Sequence, residues 1–163
     1  MAGFPSGVVI VAAIDDRQNA WGMTCSSLCS VTLEPPTLMV GMRAGSPTLR
    51  AALHSGAFAV NLLHAGGQAA AELFSSGAPD RFERVVWELP DDAAGPHLTD
   101  VARAVADCRI SQTVPVGGQC MIFGEVFGIR ELGDRAPLLY GLRRYSSWPA
   151  MPVATQAGPA GHS

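Results

Sequence analysis

The chain is expected to be mainly β, an antiparallel barrel of short strands with a few short helices. Three observations predict this. Short apolar runs rich in β-branched residues recur at residues 8–14, 38–42, 58–63, 105–114 and 119–132. Turn residues separate them, notably Asp15-Asp16-Arg17-Gln18-Asn19, Pro35-Pro36 and Pro115-Val116-Gly117-Gly118. Helical patterns are few and short, which is the balance of a β-barrel rather than of an alternating α/β chain.

Residues 8–14 (Val-Val-Ile-Val-Ala-Ala-Ile) form a continuous apolar run, which predicts a strand buried on both faces. Residues 22–36 are different. Seven Ser, Thr and Cys side chains fill the nine positions from Thr24 to Thr32, and the stretch ends at Pro35-Pro36, where a sheet ladder is expected to stop. It predicts one strand or loop-strand. Its small hydroxyl and thiol side chains suit a flat, polar-edged ligand, with a plain Ser/Thr-rich strand as the other reading.

Residues 38–42 are the next strand. A helix follows, with Ser46 as its N-cap, Pro47 at its first position and Gly56 as its stop. Arg43 lies three residues before Ser46, so this helix start is either an anion site or an ordinary cap. Residues 58–63 are a strand and residues 68–74 a short helix. Residues 79–96 are expected to be a lid or surface excursion. Residues 105–114 and 119–132 make a hairpin through residues 115–118. The second of its strands is apolar on both alternating faces, and needs cover from a helix or a partner subunit. Glu125 interrupts it, predicting a buried carboxylate paired with an arginine or, alternatively, a catalytic acid.

One domain is expected over residues 1–148, followed by a flexible Pro/Ala/Gly-rich tail over 149–163. The net charge is −3 and the 11 basic residues are all arginine, with no basic cluster to suggest a nucleic-acid partner. Without lysine, Schiff-base chemistry is excluded. No apolar run approaches the ~20 residues of a membrane span, and residues 1–7 lack the basic start of a signal peptide. None of Cys25, Cys29, Cys108 and Cys120 forms a Cys-x2-Cys pair and the histidines are scattered, so no metal is expected. Cys25 and Cys29, roughly 13 Å apart if they share one extended strand, are too far apart to pair. A reduced, cytoplasmic protein is expected, with its cysteines mostly buried.

The ordered pieces Phe4-Pro5-Ser6-Gly7-Val8, Gly22-Met23-Thr24 and Ser30-Val31-Thr32-Leu33-Glu34-Pro35-Pro36 resemble the flavin reductase-like family of FMN-binding split barrels. The resemblance continues through Ser46-x-Thr48-Leu49, Ser55-Gly56-x-Phe58-Ala59-Val60-Asn61, Asp80-Arg81-Phe82, Gly124-Glu125-Val126 and Pro137-Leu138-Leu139-Tyr140. It implies a homodimer that binds FMN or FAD and reduces it with NADH or NADPH, passing reduced flavin to a separate monooxygenase. It also implies residue roles. Met23, Thr24, Cys25, Ser26 and Ser27 line the flavin ring. Arg43, Ser46 and Thr48 hold its phosphate, and Arg81 joins this cofactor-binding set. Pro5, Ser6, Gln119, Arg144 and Tyr145 fall on the nicotinamide side.

Hydride transfer needs stacking and distance more than a proton-transfer residue, so no catalytic acid or base is assigned. Gln119 stands where many relatives carry a histidine, and the given sequence starts almost at Phe4-Pro5, before which relatives usually have a helix. Two alternatives stay open: a protein that keeps FMN bound and passes electrons to another acceptor, and a non-catalytic flavin binder.

Overall fold

The computed structural model describes residues 3–148, so the tail expected over 149–163 lies outside the described residues. Strand β1 (Ser6–Gly7) is followed by β2 (Val9–Ile14), whose sequence explains the two-sided packing around it. Val9, Val11 and Ala13 enter one apolar core, while Ile10 and the adjoining Val8 enter another. Side chains alternate across a strand, so a continuous apolar run has to be covered twice. β2 pairs antiparallel with β3 (Ala20–Cys25) and β6 (Ala57–Leu63).

Seven strands form one antiparallel sheet. Adding β4 (Leu28–Leu33), β5 (Pro36–Arg43), β7 (Ala102–Val116) and β8 (Gln119–Glu131), the order is β3-β2-β6-β7-β8-β5-β4. Its two edges, β3 and β4, are joined only by Ser26 and Ser27. A flat sheet of this width would hold its edges roughly 29 Å apart, whereas the chain from Cys25 to Leu28 reaches about 11 Å. The sheet therefore curls until its edges meet. No ladder joins β3 to β4, and the barrel is split along that seam. Ser27 bridges toward β5, its Oγ donating to the Gly41 carbonyl at 2.9 Å and accepting from the Gly41 amide at 3.1 Å.

The one strand or loop-strand expected over residues 22–36 is thus divided between two strands at opposite edges, β3 and β4. Cys25 and Cys29 consequently lie on different strands, and Cys29 is exposed. The double proline does not end the ladder: Leu33 pairs with Pro36, and Glu34-Pro35 is the hairpin turn. The β7–β8 ladder likewise runs on to the Val116–Gln119 pair, so only Gly117, at φ 56°, and Gly118 make that turn.

Inward-facing side chains of six strands fill the barrel, including Val40, Met42, Phe58, Val60, Cys108 and Ile122. Helix α1 (Pro47–Ser55) packs onto them through Leu49, Ala51 and Ala52. Helix α2 (Gln68–Ser76) covers the outer side of β2 through Ala70, Ala71 and Phe74. A small sheet of β1, β9 (Leu138–Gly141) and β10 (Arg144–Ser147) lies alongside, joined to the β2 segment by a Val8–Leu138 backbone bond of 3.1 Å.

Glu125 departs from expectation: it is exposed, and among the described residues it makes no ion pair. A solvated carboxylate needs none. Arg109, its neighbour across the ladder, instead lies 5.3 Å from the Phe127 ring centroid. β8 is buried on one face only, through Ile122 and Gly124, while Met121 and Phe123 on the other are half-buried. Farther along, Phe127 is 47% and Ile129 71% exposed. Beside them an apolar groove of about 290 Å³ runs past Leu33, Leu38, Val126 and Ile129.

The excursion over residues 79–96 is fastened, not loose. The Asn61 amide donates to the carbonyls of Ile10 and Pro96 and accepts from the Leu98 amide at 2.8 Å. His97 Nε2 donates to Asp107 on β7, 3.0 Å from each carboxylate oxygen, and the Ala94 amide adds a third bond at 2.7 Å. Glu88 and Arg130 form a further ion pair to β8.

Candidate functional site

Two clefts meet at Thr24 and Ser75. The first, of about 490 Å³, lies between the ends of β3 and β5, the start of α1, the end of α2 and the turn before Arg81. Met23, Thr24, Arg43, Ser46, Thr48 and Arg81 all line it. The second, of about 640 Å³, lies between α2 and the small sheet, with Thr24, Ser26, Arg144 and Tyr145 in its lining.

The α1 end of the first cleft sets an arginine beside a helix start. Ser46 caps the helix, its Oγ accepting from the Leu49 amide at 3.2 Å, and Pro47 follows. With no donor on Pro47 and the Leu49 amide already used, the Thr48 amide is the open one in this first turn. Gly45, at φ 74°, supplies the left-handed residue of the turn that leads from β5 to the helix start. The Ser46 amide closes that turn on the Arg43 carbonyl at 3.2 Å, which keeps the exposed Arg43 beside the positive end of the helix.

At the other side of this cleft Arg81 is only 7% exposed. Its Nη1 donates to the Ala78 carbonyl at 2.8 Å, and its Nε is buried without a partner. The guanidinium carbon lies 6.0 Å from the ring centroids of both Trp21 and Phe74. Desolvation there lowers its pKa from the ordinary arginine value. Gly22 makes this packing possible, because a Cβ on it would sit 2.8 Å from the Phe74 ring.

Trp21 is itself held in place, its Nε1 donating to Asp15 at 2.8 Å. That bond, with those from Asn19 and Arg17, holds the Asp15 carboxyl well below the usual carboxylate range. A carboxylate whose pKa falls on folding stabilises above about pH 4, its unfolded value, and loses that contribution as the pH drops through the folded value. Melting temperatures of the parent and Asp15→Asn are therefore expected to differ at pH 6 and to converge toward pH 2. A constant gap across that range would show that Asp15 acts only by packing.

The five residues from Met23 to Ser27 divide by role. The Thr24 hydroxyl donates to the Ala71 carbonyl at 2.6 Å, which ties β3 to α2. Ser27 is occupied with Gly41, as above. Cys25 turns into the barrel core, where burial pushes its thiol up to about 12, so it can offer a ligand only its backbone. Met23 and Ser26 remain, one lining each cleft.

Four of the five residues expected on the nicotinamide side gather at the small sheet. Ser6 and Tyr145 both pair with Tyr140, Arg144 pairs with Gly141, and Pro5 packs on Gly141. Gln119 does not join them. It is exposed, pairs with Arg43 on β5, and lines neither cleft. Sequence reasoning missed Trp21, Glu72, Phe74, Tyr140 and Arg143 as cleft residues. Arg143 carried a signal as half of an arginine pair, and Tyr140 as the end of Pro137-Leu138-Leu139-Tyr140. The faces of α2 that bring in Glu72 and Phe74 are set by tertiary packing.

The chain matches the family model described as "Flavin reductase like domain" over residues 1–149. It is 45% identical over 148 residues to a flavin reductase (NADPH) of Lentzea aerocolonigenes, covering 91% of this chain and 86% of that one. The NADH:FAD oxidoreductase of Streptomyces globisporus C-1027, solved with NAD and FAD fragments, superposes with a TM-score of 0.83 at 27% identity, covering 94% and 90% of the two chains. The flavin reductase of the styrene monooxygenase of Pseudomonas putida S12 gives 0.82 at 27% identity, covering 93% and 96%. A split barrel with paired clefts, matched over residues 1–149 by the family model and over about nine-tenths of its length by such relatives, this chain belongs to the flavin reductase-like family.

Proposed function

We propose that the two clefts seat flavin and pyridine nucleotide side by side, and that the chain reduces FMN or FAD with NADH or NADPH at their junction. The observation that supports this most is the junction itself: two clefts that share Thr24 and Ser75, one cationic at its α1 end and the other flanked by Tyr140 and Tyr145. The donors fit a phosphorylated flavin. Arg43 and the α1 start offer a guanidinium and a helix end to the phosphate. Arg81 offers a buried Nε–H with no protein acceptor.

Bound flavin supplies N5 as the hydride acceptor. The chain's own work is to bind and orient. Thr24, fixed by Ala71, sets the wall shared by both clefts, and Trp21, fixed by Asp15, supports Arg81. Ser26 and the backbone of residues 23–26 line the flavin ring. Pro5, Ser6, Arg144 and Tyr145 form the pyridine-nucleotide side. Tyr145 stays a neutral phenol, its pKa raised by desolvation, then by Glu72 and Tyr140. Reduced flavin then leaves for a separate monooxygenase, as the kinship with a styrene monooxygenase reductase supports. NADH oxidation measured with and without added FMN tests this reading. Oxidation only with added flavin is expected, and flavin retained through gel filtration would instead make it a prosthetic group.

The assembly is a homodimer closed over the apolar groove beside Phe127 and Ile129. An uncovered apolar patch of this kind, continuing the barrel core through Leu38, Leu62 and Val126, marks an interface. Light scattering is expected to give twice the 17.0 kDa chain mass, with Ile129→Glu shifting it toward the monomer. A parent that scatters as a monomer at micromolar concentration rules the dimer out. We place the protein in the cytoplasm on its free thiols. Among the described residues no helix is long and apolar enough to cross a membrane.

A further inference from the structure

The hairpin between β9 and β10 turns on two residues, Leu142 and Arg143, with φ of 52° and 59°. Positive φ at both central residues is the type I′ turn, which strongly favours Asn-Gly or Gly-Gly and penalises other side chains. Neither residue here is a glycine. Backbone held in the left-handed region by larger side chains is a cost that concentrates at ligand sites. Its consequence is visible: Arg143 and the next residue, Arg144, both line the second cleft.

Among the described residues neither guanidinium has a carboxylate partner. Glu72 is the one acidic residue lining the same cleft, and Gln68 Nε2 holds it at 2.8 Å. The cleft therefore keeps a net positive charge at the β9–β10 turn. With the flavin phosphate proposed above for Arg43 and α1 in the other cleft, this second cationic site is left for the second ligand.

Resting on the reductase reading, we propose that Arg143 and Arg144 seat a phosphate of the pyridine dinucleotide, either its diphosphate bridge or the 2′-phosphate of the NADP form. Paired guanidinium groups match phosphate oxygens with directed, charge-assisted hydrogen bonds.

The test is binding, read by calorimetry on FMN-saturated protein with NAD+ and NADP+ as probes. The variants are Arg143→Gly and Arg144→Gln. Glycine suits φ 59°, so Arg143→Gly is expected to melt no lower than the parent, which removes misfolding as an explanation. Loss of one charge-assisted contact is expected to weaken binding about tenfold and to flatten its salt dependence. Loss confined to NADP+ assigns the 2′-phosphate, and equal loss for both probes assigns the diphosphate. Unchanged affinity for both, or a loss that falls on FMN instead, overturns the proposal. Failure of the reductase reading would appear separately, as no NADH or NADPH oxidation by a parent that still binds these probes.

Discussion

His97→Ala is expected to lower the unfolding free energy by about 3 kcal/mol, the upper end of the penalty for leaving a buried hydrogen-bonding group without its partner. Asp107 is 6% exposed, and without the imidazole its carboxylate keeps only the Ala94 amide as a donor. Urea unfolding of parent and variant measures the loss. Arg84→Ala gives the contrast. It removes an exposed ion pair to Asp80 at 3.9 Å and is expected to cost less than about 1 kcal/mol. Amide exchange should also quicken over residues 79–96, since His97 and Asn61 fasten that excursion to the barrel. A His97→Ala cost no larger than that of Arg84→Ala would mean that the excursion is anchored elsewhere.

The same pair shows where the sequence stops being legible. Nothing in the spacing of His97 and Asp107 announces a contact, because the β7 ladder and the returning excursion bring them together. The histidines look scattered in the sequence, and one of them is a buried fastener. β2 is the opposite case. Its apolar run states its own two-sided burial, and the structure places Val9 and Ile10 in different cores. The α1 signals are equally local, and Ser46, Pro47 and Gly56 all take the positions their chemistry favours.

Residues 22–33 fall between these cases. Their composition suits either a ligand wall or a plain Ser/Thr-rich strand, and Met23, Thr24 and Ser26 line the clefts. Composition cannot show a break into two strands at opposite edges of a sheet, because that follows from barrel closure. Nor can it show which hydroxyls the fold uses for itself, as it does those of Thr24 and Ser27. Glu125 departs from expectation for a related reason: apolar neighbours suggest a buried face, but on its side of β8 Met121 and Phe123 are only half-buried and Gln119 is exposed.

Arg81→Met is expected to move stability and flavin affinity in opposite directions. Arg81 is buried among Trp21, Phe74 and the Ala78 carbonyl, with no carboxylate beside it and its Nε unpartnered. Burying an uncompensated guanidinium disfavours the ligand-free fold, and an apolar side chain of similar length removes that penalty. Ligand-free Arg81→Met is therefore expected to be at least as stable as the parent, by up to about 1 kcal/mol. Its FMN affinity should fall by about 3 kcal/mol, the upper end for a hydrogen bond to a charged group, because the contact is desolvated. Fluorescence titration with FMN and riboflavin locates the contact. Arg43→Ala, at the phosphate end, should lose FMN affinity and keep riboflavin affinity. Arg81→Met should lose both if its Nε–H meets the ring system, and FMN alone if it meets the phosphate. A variant that binds both ligands like the parent would make Arg81 a wall residue and leave its open Nε without a ligand.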